Sequence, residues 1–157
     1  MKLLFTSVLF FSTFIVFSQE DYFQKTDDGE LFWQKSFSGS KEQALDAIYT
    51  NLTIRNNVIT EIKDKLFFDF QSDFIFKPES ILSGYVTLRA KIRVEFKPNK
   101  YRVTILKMQE VSNEFTFDIL AYSVNSKKRF QKIKTTLNRE LPKIFKNLSA
   151  KNYNTPW

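Results

Sequence analysis

At 157 residues the chain is long enough to bury one substantial core and too short for two of ordinary size. Apolar residues make up 43% and charged residues 26%, which excludes a disordered chain, and 24 Lys+Arg against 17 Asp+Glu give a net +7 that permits anionic partners without selecting among them. Histidine and cysteine are both absent, which excludes disulfides, a thiolate nucleophile, zinc sites built on sulfur or imidazole, and the usual general base at neutral pH.

Met1 and Lys2 precede the apolar run LLFTSVLFFSTFIVF, and Ser18 and Gln19 then open polar chain. This is the pattern of a secretory signal peptide over residues 1–18, with Val16 at the third position before a cut after Ser18. The run Leu3–Phe17 has 15 residues, short of the roughly 20 needed to span a bilayer, so cleavage is favoured over a retained anchor. The expectation is an exported protein, periplasmic or extracellular, whose mature chain begins near Gln19. Lacking cysteine, it has no site for the lipid that anchors bacterial lipoproteins.

Residues 19–30 read as a polar leader, with TDDGE at 26–30 a turn before order begins near Leu31. LFWQKSFS at 31–38 predicts a strand. Ser40 with Gln43 forms a capping box that opens a helix at Lys41, whose apolar stripe Leu45, Ile48 and Leu52 runs until Asn56-Asn57. SGSK at 38–41 lacks the long glycine-rich spacing of a phosphate loop, so its role is capping. VITEIK at 58–63 suggests a second strand. From 66 to 76, Leu66, Phe68, Phe70, Phe74 and Phe76 alternate with Asp69, Gln71 and Asp73. From 85 to 97, Val86, Leu88, Ala90, Ile92, Val94 and Phe96 alternate with Thr87, Arg89, Lys91, Arg93, Glu95 and Lys97. Pro98-Asn99 turns the chain into a returning strand at Tyr101, Val103 and Ile105.

The segment 111–124 alternates briefly at Phe115, Phe117 and Ile119 and reads either as a short strand or as a loop over an edge. From Ser126 an amphipathic basic helix begins, with Phe130, Ile133, Leu137 and Leu141 on its apolar stripe. Pro142 predicts a kink or a break near Glu140. Since the inward sheet face needs covering, the stripe should dock there rather than enter lipid. Residues 31–150 thus form one domain and 151–157 a loose tail.

KSFSGSKEQALDAIYTNL, followed by VTLRAKIRVEFKPNKYRVTI, resembles the secreted bacterial family called domain of unknown function 4468. Ile92, Val94, Lys97, Tyr101, Arg102, Val103 and Ile105 fall where that family's hairpin has such residues, and the likeness runs from about Leu31 to Glu110. The family's usual Asp-Gly turn is replaced here by Pro98-Asn99. The resemblance implies an α+β fold of TATA-box-binding-protein-like (TBP-like) type: an antiparallel sheet of about five strands, in order β-α-β-β-β-β-α, with two helices packed on one face. It brings no catalytic residues.

Asp69 and Asp73, four residues apart on one strand, lie roughly 13 Å from each other, too far for an acid pair. Arg89, Lys91 and Arg93 face outward on a nearby strand, so cross-strand charge pairing is the better reading. The stretch KIRVEFKPNKYRV interleaves basic and aromatic residues, but alternation turns Phe96 and Tyr101 inward, where bases cannot stack, so no nucleic-acid partner is expected. The candidate face for an anionic partner comprises Arg89, Lys91, Arg93, Arg102, Lys128 and Lys132. Together these features predict a non-catalytic binding or accessory module of the bacterial envelope, without cofactor or metal, whose partner is an envelope protein or anionic polymer. Two alternatives stand beside it: an envelope hydrolase using carboxylate or hydroxyl chemistry, and weak binding to anionic membrane surfaces through the basic C-terminal helix, with no stable membrane span after signal removal.

Overall fold

The computed structural model describes residues 20–63, 65–77, 84–112, 115–121 and 125–146. The expected signal peptide, the end of the domain at 147–150 and the tail 151–157 lie outside the described residues.

Among the described residues seven antiparallel strands form a single sheet: β1 (Phe23–Lys25), β2 (Leu31–Ser38), β3 (Arg55–Ile62), β4 (Lys65–Phe76), β5 (Val86–Lys97), β6 (Lys100–Ser112) and β7 (Phe115–Asp118). Helices α1 (Lys41–Asn51) and α2 (Lys127–Lys146) lie against one side of it. The sheet runs β1-β2-β6-β5-β4-β3. β5 occupies one edge of β6, so β2, at Lys100–Ile105, and β7, at Gln109–Ser112, share the other.

Period-two alternation fixes the long central strands. Phe68, Phe70, Phe74 and Phe76 of β4, and all six predicted inward residues of β5, are buried on the helix side. The same rule buries Ser72, a polar residue on an apolar face, whose hydroxyl has no hydrogen-bond partner among the described residues. The Pro98-Asn99 turn forms as expected, with Asn99 at φ 58° and Lys97 opposite Lys100. An extra residue on β6 near Lys107 (φ 49°) shifts the register between Arg89 and Lys91, and alternation then resumes with Met108 and Glu110 turned inward.

The capping box forms: Ser40 Oγ accepts from the Gln43 amide at 3.2 Å and Gln43 Oε1 from the Ser40 amide at 2.9 Å. Gly39 precedes it at φ 149°, where an added Cβ would lie 3.2 Å from the Tyr101 ring, so the tight entry into α1 requires glycine. The helix ends at Asn51, earlier than its apolar pattern suggested. Leu52 adopts an extended backbone, and Asn56 and Asn57 belong to β3, where Asn56 at φ 49° sits in a bulge.

Three further expectations are corrected. The strand count is higher than about five because β1 and β7 join the sheet. The 19–30 leader is therefore not external to the fold: Phe23–Lys25 pairs with β2, and Asp21 accepts from Lys134 at 2.7 Å and from Asn138 at 3.1 Å on α2. Asn138 Oδ1 also accepts from the indole of fully buried Trp33 at 3.1 Å, so one side chain ties leader, sheet and helix together. Finally, of the kink or break expected near Glu140, the break does not occur, since α2 runs as one helix through Pro142. Proline removes only the bond to the carbonyl of residue 138, while buried Leu137, Leu141 and Phe145 on either side hold the turn against the sheet. Phe145 stacks on Trp33 with ring centres 6.3 Å apart, and its carbonyl accepts from Tyr101 Oη at 2.7 Å. The predicted docked stripe, Phe130, Ile133, Leu137 and Leu141, is buried as expected. Among the described residues no helix is long and apolar enough to cross a membrane.

Candidate functional site

With both helices on one side, the opposite face of β3, β4, β5 and β6 is open, and antiparallel register organises its charges. Asp73 lies opposite Arg89, and Asp69 opposite Arg93. Each pair is bidentate, at 2.8 and 3.0 Å for Arg89–Asp73 and at 2.7 and 2.8 Å for Arg93–Asp69. Arg55 adds a longer contact to Asp73, at 3.7 Å. The Arg89 hydrogen bond holds the Asp73 carboxyl below the usual carboxylate range, outweighing partial burial. Each carboxylate is thus engaged by an arginine in the manner of a cross-strand structural pair.

Further along β5, Glu95 is nearly buried at 5% exposure. Burial pushes its carboxyl up, but an ion pair with Arg102 and the nearby Lys65 ammonium, 3.7 Å away, outweigh that and hold it below its ordinary value. Beside it Ser36, Lys97, Lys100 and Tyr101 line a cavity of about 160 Å³.

Lys91 differs from its neighbours. Its cross-strand partners are Gln71 and Leu106, neither of them acidic. It lines an open cavity of about 350 Å³ with Asn56, Asp69, Gln71, Arg93 and Leu106, and Asn56 donates to Gln71 across the rim at 3.3 Å. A cation flanked by amide groups, with the adjacent arginine fixed by its own carboxylate, can accept an anionic group without first breaking a native ion pair.

Of the residues singled out from the sequence, Arg89, Lys91, Arg93 and Arg102 share this face. Lys128 and Lys132 do not. They lie on α2, on the other side of the sheet, because the apolar stripe of that helix is what covers the inward face. Sequence alternation placed Glu95 outward but gave no hint of its burial, and Arg55 and Asn56 went unrecognised because β3 and its bulge bring them to this face from outside the alternating strands. As alternation required, Phe96 and Tyr101 are buried on the helix side.

No family model matches the chain, and no curated protein matches it. Among solved structures it is similar to a DUF4468 family protein from Bacteroides ovatus, at 12% identity and a TM-score of 0.53, over 86% of this chain and 94% of that one. It is also similar to a TBP-like protein from Parabacteroides distasonis, at 11% identity and a TM-score of 0.50, over 78% of this chain and 92% of that one. At these identities the likeness is one of fold. The chain therefore has a TBP-like α+β fold, in a form shared with a DUF4468 family protein as its sequence suggested.

Proposed function

We propose that this protein is an exported, non-catalytic binding module of the bacterial envelope that holds an anionic polymer, or an acidic protein surface, on the uncovered face of its sheet. The observation that carries the reading is the charge on that face. Across β3 to β6, Lys91, Lys97 and Lys100 stand beside Arg55, Lys65, Arg89, Arg93 and Arg102, which contact carboxylates, against only Asp69, Asp73 and Glu95 among the described residues. The ion pairs fix the arginines in place, and the excess lysines supply attraction that salt would screen. Export is supported by the short basic start and apolar run at Met1–Phe17. A non-catalytic role is supported by the lack of histidine and cysteine and by the engagement of Asp69 and Asp73 with arginine. The basic side of α2 is a weaker candidate surface, since Lys134 is engaged by Asp21 and Arg129 by Glu110.

The test is binding of the chain from Gln19 onward to dextran sulfate and to neutral dextran, with and without K91E. Binding to the sulfated polymer alone, falling steeply with salt and weakened about tenfold by the charge reversal, is expected. Equal binding to both polymers, or indifference to K91E, would refute the assignment of this face.

A further inference from the structure

The sheet ends at β3, where the bulge after Arg55 interrupts the first half of the edge and the second half, Val58–Ile62, runs as a regular strand. Among the described residues nothing pairs with its far side. Natural edges are usually blunted by proline, by inward-pointing charge or by a covering element, because a free row of amides and carbonyls is a template for another strand. β3 has one such charge, Glu61 on the helix side opposite Leu66, but beyond its bulge it also exposes Val58 (58%), Ile59 (58%) and Ile62 (53%). Val58 and Ile62 share the face of Asp69 and Lys65, their partners on β4, while Ile59 lies on the helix side opposite Phe68. There Tyr49 of α1, itself 56% exposed, packs on the same Phe68 ring at 5.8 Å. Apolar surface therefore flanks the open edge on both faces of the sheet.

We propose that β3 is a self-association edge, at which a second copy of this chain pairs antiparallel about a two-fold axis at Thr60 and continues the sheet. The choice of a second copy rests on self-complementarity. Beyond the bulge that follows Arg55, the ladder to β4 is regular from Val58 to Ile62, and its midpoint is Thr60. A dyad there places Val58 opposite the partner's Ile62, Thr60 opposite the partner's Thr60 and Ile59 opposite the partner's Glu61. Apolar residues meet apolar ones on the outer face, a threonine pair sits at the centre, and no like charges oppose each other. Such a dyad stands perpendicular to the sheet, as a self-complementary interface requires, so the open basic faces of both copies point the same way. A regular stretch this short buries less than the roughly 800 Å² per partner of a standard interface, so the dimer is a weak one.

The experiment is sedimentation equilibrium of the chain from Gln19 onward over a concentration series, together with oxidative crosslinking. Because the chain has no cysteine, T60C introduces a single thiol that sits on the dyad, within disulfide reach of its symmetry mate. Expected are reversible dimerisation with a Kd between about 1 μM and 1 mM, at least tenfold weakening by I59K with the monomer still folded, and rapid dimer formation by oxidised T60C. Y85C, at a site exposed on β5's approach, is the comparison and should crosslink only at the random-collision rate. A monomer at all concentrations up to about 1 mM, or equal crosslinking of T60C and Y85C, would overturn the proposal. Neither readout involves an anionic polymer, so the result stands apart from the function of the basic face.

Discussion

Replacing Tyr101 by phenylalanine isolates one buried hydrogen bond and one buried titration. Tyr101 is 2% exposed, stacks on Phe37 at 5.4 Å, and donates at 2.7 Å to the carbonyl of Phe145. That carbonyl lies in the last turn of α2, where helix carbonyls lack intrahelical partners, so Tyr101 serves as a cap brought from the sheet. Y101F keeps the ring and leaves the carbonyl unsatisfied, which costs about 1–3 kcal/mol at pH 8. Burial also pushes the phenol up to about 12 from its ordinary 10.0. A native pKa above the unfolded one stabilises the fold fully below the unfolded value and loses that contribution as pH rises towards the native one. Between pH 8 and pH 11 the wild type should therefore lose about 1.4 kcal/mol through this group alone, a loss that Y101F cannot show. The assay is urea unfolding of both proteins at pH 8, 9, 10 and 11, read as the difference between them so that the other tyrosines and the lysines cancel. A wild-type advantage of 1–3 kcal/mol at pH 8 that shrinks towards pH 11 is expected. An advantage that is absent at pH 8, or that stays constant or grows with pH, would show that the buried hydroxyl is not held as described.

Two more outcomes follow from the polar pairs. D73N should cost only about 0.5–1 kcal/mol at neutral pH, because the Arg89 pair is partly solvent-exposed. The native Asp73 pKa is depressed, so its contribution is present above the ordinary 3.8 and fades as pH falls through the lowered value; acid unfolding curves of wild type and variant should converge there. N138A deprives the Trp33 indole of its acceptor and Asp21 of one of its donors, and should cost about 2–3 kcal/mol in urea unfolding. It should also raise amide exchange at Phe23–Lys25 before the rest of the sheet opens, and unchanged protection of β1 would refute the anchoring role of Asn138.

Elements with strong local signals were legible. Phe68 to Phe76 and Val86 to Phe96 repeat with period two, and the side chain's direction along a strand follows from backbone geometry alone. The Ser40–Gln43 box fixed the start of α1 to the residue because both bonds close within one turn. Its end was misplaced, since the apolar stripe reached Leu52 and no local residue marked Asn51 as the stop. β1 was missed because three residues, FQK, carry too little pattern, and their order comes from β2 and from Asn138, more than a hundred residues away.

The candidate site divides the same way. That Arg89, Lys91, Arg93 and Arg102 would be outward followed from alternation, and that Asp69 and Asp73 would pair with basic residues followed from charge on adjacent strands. Which arginine met which aspartate, and that Lys91 met neither, depended on the β4–β5 register, which is not set by a two-residue turn like the one that sets β5 against β6. The sequence alone determined which side chains share a face, because that is set within each strand by covalent geometry. Tertiary structure decided which strands lie side by side, that α2 takes Lys128 and Lys132 to the far side of the sheet, and that Glu95 is buried, because those outcomes rest on packing between segments whose contact the chain's local order does not encode.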